Sequence, residues 1–237
     1  MPSDLHAHLD ARPAWRVELH AHSVWSKDCV VALDTIRRIC QRRGIDRIAL
    51  TDHNTISGAL EMAARAPDLF IVGEEIMTTH GELLGYFMRE SVPPGLSPDE
   101  TIERLRAQGA VISVSHPYDR LRKGAWEEAD LLRIIDRVDA IETFNSRCIY
   151  REDNARAQRL ARERGLPGTV GSDAHSRVEY GRAVQVMPPF HDAPSFLHAL
   201  RHAVPDARYS SVLVHGNSFT AKWSRRLGLR RRLWEGG

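Results

Sequence analysis

His20-Ala21-His22 places two imidazoles two residues apart at the end of a short run, 16–19, that reads as a β-strand. Alternation along a strand sends residues i and i+2 to the same face, so both rings can enter one pocket. Neutral imidazole is the commonest protein ligand for zinc-, iron- or manganese-type cations. Taken alone, the pair is better read as two packed or exposed histidines. The rest of the chain adds to it. Asp28 follows shortly after His22, Asp52-His53 closes the next strand-like run, and Glu75 closes the third. His80 and Glu82 stand at the start of the following run, His116-Pro117 ends another, and Asp173 and His175 repeat the i, i+2 spacing near the end. Gathering so many carboxylates without cations would be electrostatically costly. Divalent metals relieve that cost. The donors outnumber what one ion needs, which points to two or three.

The chain that positions these groups has 237 residues, 42% hydrophobic and 27% charged. That composition suits a folded core in one large or two small domains and argues against overall disorder. No apolar run approaches the ~20 residues of a membrane helix, and Met1-Pro2-Ser3-Asp4 carries no secretory signal pattern. Cys29, Cys40 and Cys148 form neither a CxxC pair nor a disulfide framework, so a cytoplasmic location is expected. A net charge of +2 does not by itself imply a nucleic-acid partner.

Strand-like and helix-like segments alternate. Strands are expected at 16–19, 47–50, 69–72, 83–88, 110–115, 140–143, 169–170 and 182–187. Helices are expected at 34–43 with Asp34 as N-cap and Gly44 as stop, at 57–66, and at 97–108 with a Ser97/Glu100 capping box and Pro98. Further helices are expected at 127–137, at 153–164 before Gly165, and at 195–203. Repeated strand–helix units predict an α/β fold with a mainly parallel sheet. The polar clusters fall where strands end, the face on which a (β/α) barrel builds its site. An open doubly wound sheet is the alternative, but no GxGxxG or Walker-type loop supports it. Residues 1–15 read as an extension, 16–208 as the domain, and 209–237 as a basic tail containing Lys222, Arg225, Arg226 and Arg230 to Arg232.

Five motifs occur in order: Glu18-Leu19-His20-Ala21-His22-Ser23 with Ser26 and Asp28, Thr51-Asp52-His53-Asn54-Thr55, Gly73-Glu74-Glu75-Ile76, Ser115-His116-Pro117 and Gly171-Ser172-Asp173-Ala174-His175. With them the chain resembles the PHP family, the polymerase-and-histidinol-phosphatase group of metal-dependent phosphoesterases. The resemblance implies a distorted (β/α)7 barrel with a two- or three-metal site (zinc, manganese or iron) at the C-terminal ends of its strands. It implies that His20, His22, Glu75 and Asp173 hold one metal, that Glu75 bridges to a second also held by His116, and that Asp28, His53 and His175 hold a third. Many relatives carry a histidine where this chain has Glu82, with His80 two residues earlier; Glu82 is preferred and His80 stays open. A second DLHAH, at Asp4 to His8, lacks the Ser and Asp that follow His22. Asp52 is expected either to orient His53 or to cap its strand. Glu142 is expected either to support the ligands or to be an ordinary surface carboxylate.

The activity implied is hydrolysis of a phosphoric ester by a metal-bridging hydroxide, on a small phosphorylated metabolite or a nucleotide, with Asp173, His175 and Arg120 at the reacting group. Arg120, Arg122 and Arg147 are candidate phosphate binders, since guanidinium matches phosphate by bidentate geometry; Arg120 is preferred because it shares a loop with His116. The rivals are an exonuclease-type phosphodiesterase, a C–N hydrolase, and a non-catalytic metal-binding regulatory module. The C–N reading is weakened by the lack of a suitable barrel lysine. The cysteines lack a base at readable spacing, which disfavours thiol catalysis. The basic tail is read as a solvated terminus rather than a nucleic-acid or membrane contact.

Overall fold

The computed structural model describes residues 14–211 and residue 214. The Asp4 to His8 motif and the basic run from Lys222 to Arg232 lie outside the described residues, as does nearly all of the expected 1–15 extension.

The elements run β1 (Trp15–Ala21), α1 (Leu33–Arg43), β2 (Arg47–Leu50), α2 (Ser57–Arg65), β3 (Phe70–Met77), β4 (Glu82–Tyr86), α3 (Pro98–Ala107) and β5 (Val111–Val114). They continue with α4 (Glu128–Ile134), a 3-10 turn (Ile135–Arg137), β6 (Ala140–Asn145), α5 (Arg151–Arg164), β7 (Gly168–Gly171), β8 (Ala183–Met187), α6 (Ala193–Leu200) and β9 (Val204–Ala207). The Ser97/Glu100 capping box forms as expected, with Pro98 in the first turn of α3. Asp34 is not the cap of α1. Ala32 holds that position in extended backbone, and the Asp34 carboxylate sits in the first turn, 2.7 Å from Arg65 of α2. A carboxylate there still opposes the positive end of the helix dipole. The last helix begins at Asp192, whose side chain and Ser195 form a second capping box.

The nine strands form one sheet in the order β7-β6-β5-β4-β3-β2-β1-β8-β9. The expectation of a mainly parallel sheet holds only in part. β1-β2-β3 and β5-β6-β7 are parallel, while β4, β8 and β9 run antiparallel to their neighbours. The cause at β4 is local. β3 runs past Glu75 to Met77 and turns back through 78–81, where Thr78 N–H and Oγ1 both donate to Gly81 O at 2.9 and 2.7 Å. A connection that short can only return antiparallel.

The far ends of the β1–β7 sheet come together. Ala21 bridges Ala174, Asp173 N–H donates to His20 O at 2.8 Å, and His22 N–H donates to Ala174 O at 3.1 Å. The expected seven-stranded barrel is thus present as a nearly closed curl of β1–β7, with β8 and β9 continuing from β1. Inside it, Val17, Leu19, Ala49, Ile71, Leu84, Tyr86, Val111 and Ala140 pack together with Phe190 and with Phe196 of α6. Outside it, Ile48 and Leu50 meet Ile36 and Ile39 of α1 and Met62 of α2, while Ile112, Val114 and Ile141 meet Ile102 and Leu105 of α3, Leu131 of α4 and Leu160 of α5. Strands apolar on both faces are what a helix-covered barrel requires. The inward layer leaves one end of the barrel to polar side chains.

Candidate metal centre

The β1 ladder against β2 shifts register between Glu18 and Ala21, and a bulge of this kind re-aims a side chain. It is here that the strand delivers His20 and His22, both fully buried, to the barrel mouth. Glu75 arrives from β3, Glu82 from the first position of β4, and His116 from just past β5. Asp173 and His175 arrive past β7, beside β1. His116 and Asp173 both have positive φ, 21° and 51°, a conformation that costs energy for residues with a Cβ and persists only when surroundings fix it. Backbone bonds do so: His116 N–H donates to Glu142 Oε2 at 2.8 Å, and Asp173 N–H to His20 O.

Glu75 is the hub. Its Oε2 lies 3.3 Å from the Nε2 atoms of His20 and of His22 and 3.0 Å from His53 Nδ1; its Oε1 lies 3.0 Å from His116 Nε2. Asp173 Oδ1 lies 3.3 Å from His22 Nε2, 3.4 Å from His175 Nδ1 and 3.8 Å from His20 Nε2. Asp28 Oδ1 lies 3.3 Å from His175 Nε2 and 3.6 Å from His53 Nε2. Among the described residues, three groups have ligand atoms close enough to share an ion: His22/His53/His175, His20/His22/Glu75 and His53/Glu75/Glu82. Of the two alternatives near β4, Glu82 faces this cluster, with Oε2 3.5 Å from His116 Nε2. His80 is exposed, and its Nε2 lies 3.9 Å from Asp130.

The supporting bonds decide which ring nitrogens face inward. His20 Nδ1 is 2.9 Å from Glu142 Oε1, a carboxylate oxygen that can only accept, so that nitrogen carries the proton. His22 Nδ1 is 3.1 Å from Ser26 Oγ, whose own proton goes to Asp52 Oδ1 at 2.6 Å, so His22 Nδ1 also donates. In their neutral forms both rings would point Nε2 lone pairs at each other across 3.2 Å, next to Glu75 Oε2. Glu75 Oε2 and Asp173 Oδ1 are buried and have no hydrogen-bond donor. Lone pairs converging in this way need a cation between them, a proton or a metal ion.

Without a metal ion, a proton takes that place on His20. Burial opposes charge on His20, but Glu75, Glu142 and Asp173 hold its pKa well above the ordinary value. For His22, burial and the neighbouring His175 and His53 push it well below. Burial would raise Glu75, yet His20, His53 and His116 keep it well below the usual carboxylate range. Glu82 rises, through burial and the charge of Glu75.

Asp52 does not orient the His53 ring. It accepts from Ser23 N–H and Oγ at 2.6 Å and from Ser26 N–H at 3.1 Å and Oγ at 2.6 Å, tying down the turn that carries Asp28. Ser26 Oγ in turn accepts His53 N–H at 3.1 Å. Glu142 is buried and bonds His20, His116 and Asn145 Nδ2, so it is no surface carboxylate. Gly171 makes room for it: a Cβ there would stand 2.4 Å from Glu142 Oε1 and from His20 Cβ.

The arginines fall differently from expectation. Arg120 points away, 61% exposed, with its guanidinium on Asp153 and over the Tyr150 ring. Arg122 reaches the cluster instead, pairing with Asp173 Oδ2 and, through Nε at 3.1 Å, with Asp119 Oδ2. Arg147 is buried, with Nη1 2.5 Å from His175 Nδ1 and Nε 3.5 Å from Glu179. Sequence reading missed Glu179, which accepts His175 N–H at 3.1 Å and Ser176 Oγ at 2.7 Å; a glutamate four residues past the last motif carried no signal. The cluster opens into a cleft of about 830 Å³ bordered by Trp25, Lys27, Asp28, His53, Glu82, Arg122 and Lys123, among others.

A nearly closed α/β barrel with buried histidines and carboxylates converging at its mouth defines a metal-site barrel. A family model described as PHP-associated matches residues 151–205. Two uncharacterised proteins of Methanocaldococcus jannaschii are similar in sequence: one is 35% identical over 145 residues (55% of this chain, 82% of that protein), the other 34% identical over 171 residues (71% and 68%). Among solved structures, a two-domain protein from Bacteroides vulgatus named for a PHP-like metal-dependent phosphoesterase has a TM-score of 0.68 at 19% identity, covering 84% of this chain and 66% of that one. The chain belongs to the PHP family.

Proposed function

We propose that this chain is a metal-dependent hydrolase of phosphoric esters, a phosphomonoesterase acting on a small phosphorylated compound or nucleotide. The observation that carries the reading is the set of lone pairs on His20, His22, Glu75 and Asp173 that converge in a buried space and require a cation. In this reading His20, His22, Glu75 and Asp173 hold one divalent ion (zinc, manganese or iron), Glu75, Glu82 and His116 a second, and Asp28, His53 and His175 a third. Such ions, when bound, supply an ionised water near neutral pH and neutralise phosphate charge.

The chain's own residues do the rest. Glu142 and Ser26 fix which nitrogens of His20 and His22 face inward. Asp119 holds the Arg122 guanidinium beside Asp173, where it binds a phosphate oxygen in the place first given to Arg120. Asp173 and His175 border the reacting group. Lys27 and Lys123 add positive charge at the cleft mouth. We assign this work to a domain spanning 16–208 and place it in the cytoplasm, where the three buried free thiols would stay reduced.

The test is elemental analysis of protein purified without chelators, followed by phosphate release from a panel of phosphorylated metabolites with manganese, iron or zinc added. Bound metal, together with activity lost in Glu75→Gln, is the expected result. Release of nucleoside monophosphates from oligonucleotide ends would move the reading to the exonuclease. A fully loaded protein that hydrolyses no ester would end it.

A further inference from the structure

The turn from Ser23 to Asp28 does more than carry a carboxylate. Trp25 N–H donates to Ser23 Oγ at 3.2 Å, and Ser23 Oγ donates to Asp52, so the backbone beneath the indole is pinned. The ring is fixed as well. It packs against the α1–α2 core and over Gly58 in the first turn of α2, where a Cβ would come within 2.5 Å of Trp25 Cδ1. An indole held in this way forms one wall of the cleft, three residues from Asp28. Met77, Pro94 and Leu121 add apolar surface to the same cleft. Leu121 is 58% exposed, next to Arg122 at the rim.

The cleft volume of about 830 Å³ lies in the range of sites that enclose a whole organic ligand, far more than a phosphate group fills. Its positive charge comes from Arg122, Lys27 and Lys123, beside the carboxylates of Asp28 and Glu82. A flat apolar group gains both burial and ring stacking against the indole.

We infer that Trp25 is the specificity-determining residue of this cleft and that the substrate is a phosphoric ester whose alcohol half is planar and aromatic. This rests on the phosphoesterase reading. The Gly58 hydrogen is what lets the indole lie in place.

Calorimetric titration of the metal-loaded protein with phenylphosphonate and with methylphosphonate, neither of which has a cleavable ester, tests it. Phenylphosphonate binding about tenfold tighter in the unmodified protein is expected, the upper range for an aromatic pair. In Trp25→Leu that advantage should fall below about threefold, and Gly58→Ala, which displaces the ring, should reduce it too. Equal affinities in the unmodified protein, a comparison that needs no variant to fold, would overturn the inference while leaving the phosphoesterase reading intact. So would a full advantage retained by folded Trp25→Leu. If neither phosphonate binds, the phosphoesterase reading falls and this inference with it.

Discussion

Glu142 Oε1 lies 2.9 Å from His20 Nδ1, and its other oxygen accepts the His116 backbone N–H at 2.8 Å. One carboxylate on β6 therefore aims a histidine from β1 and holds a second in its left-handed backbone conformation. Glu142→Ala removes both bonds and is expected to weaken metal affinity by about 10–100-fold. Competition with a chelator of known affinity measures this. An unchanged affinity in the folded variant would show that His20 needs no such partner.

Gly171→Ala tests the same contact from its other side. The new methyl would meet Glu142 Oε1 and His20 Cβ at 2.4 Å, so one of them must move. A loss of about 1–3 kcal/mol in urea unfolding is expected, together with weaker metal binding. A variant as stable and as well loaded as the parent would mean the site has slack that the packing does not show.

Arg122 and Arg120 make a matched pair. Arg122→Met should raise KM by about tenfold or more, the scale of a lost charge-assisted hydrogen bond. Arg120→Met should change KM by less than about twofold, because its guanidinium is turned away from the cluster onto Asp153 and the Tyr150 ring. Steady-state kinetics on one ester settles it, and the reverse ranking would return the phosphate to Arg120.

Glu18 gives a pH prediction. Burial pushes its pKa from 4.5 up to about 7, against the bonds it accepts from Ser172 and Gly181. The folded chain therefore keeps a proton that the unfolded chain releases, and stability falls as pH rises between those values. Glu18→Gln cannot ionise. Relative to it, the parent should lose on the order of a few kcal/mol between about pH 5 and pH 8. Parallel urea titrations at fixed metal concentration read the difference, and a gap constant with pH would show that Glu18 does not titrate in that range.

Much of the site was legible because the chemistry recurs at strand ends. His20, His22, Asp28, His53, Glu75, Glu82, His116, Asp173 and His175 stood out by type and spacing, and the fold brings all nine to one end of the barrel. What failed was whatever depends on the direction of a side chain or a return of the chain. Arg120 and Arg122 share a loop, and nothing in their spacing says which reaches Asp173 and which reaches Asp153. Asp34 reads as a cap until Arg65, on another helix, takes its carboxylate. The antiparallel β4 hid in a four-residue turn at 78–81, and β9 in the Val204–Ala207 segment that contains Pro205. Glu179 is defined only by what it touches.

The bridge between Ala21 and Ala174 has a consequence for how this molecule comes into being. Its two halves lie far apart in the chain, one in the first strand and one just past the seventh, and donors to the cluster sit on both sides of it. A nascent polypeptide emerging from the ribosome cannot complete the cage until the segment after β7 has been made. Any ion held by donors from both sides could be captured only late in biogenesis, and a divalent ion bound across that junction would act as a clasp, drawing the first strand and the seventh shut.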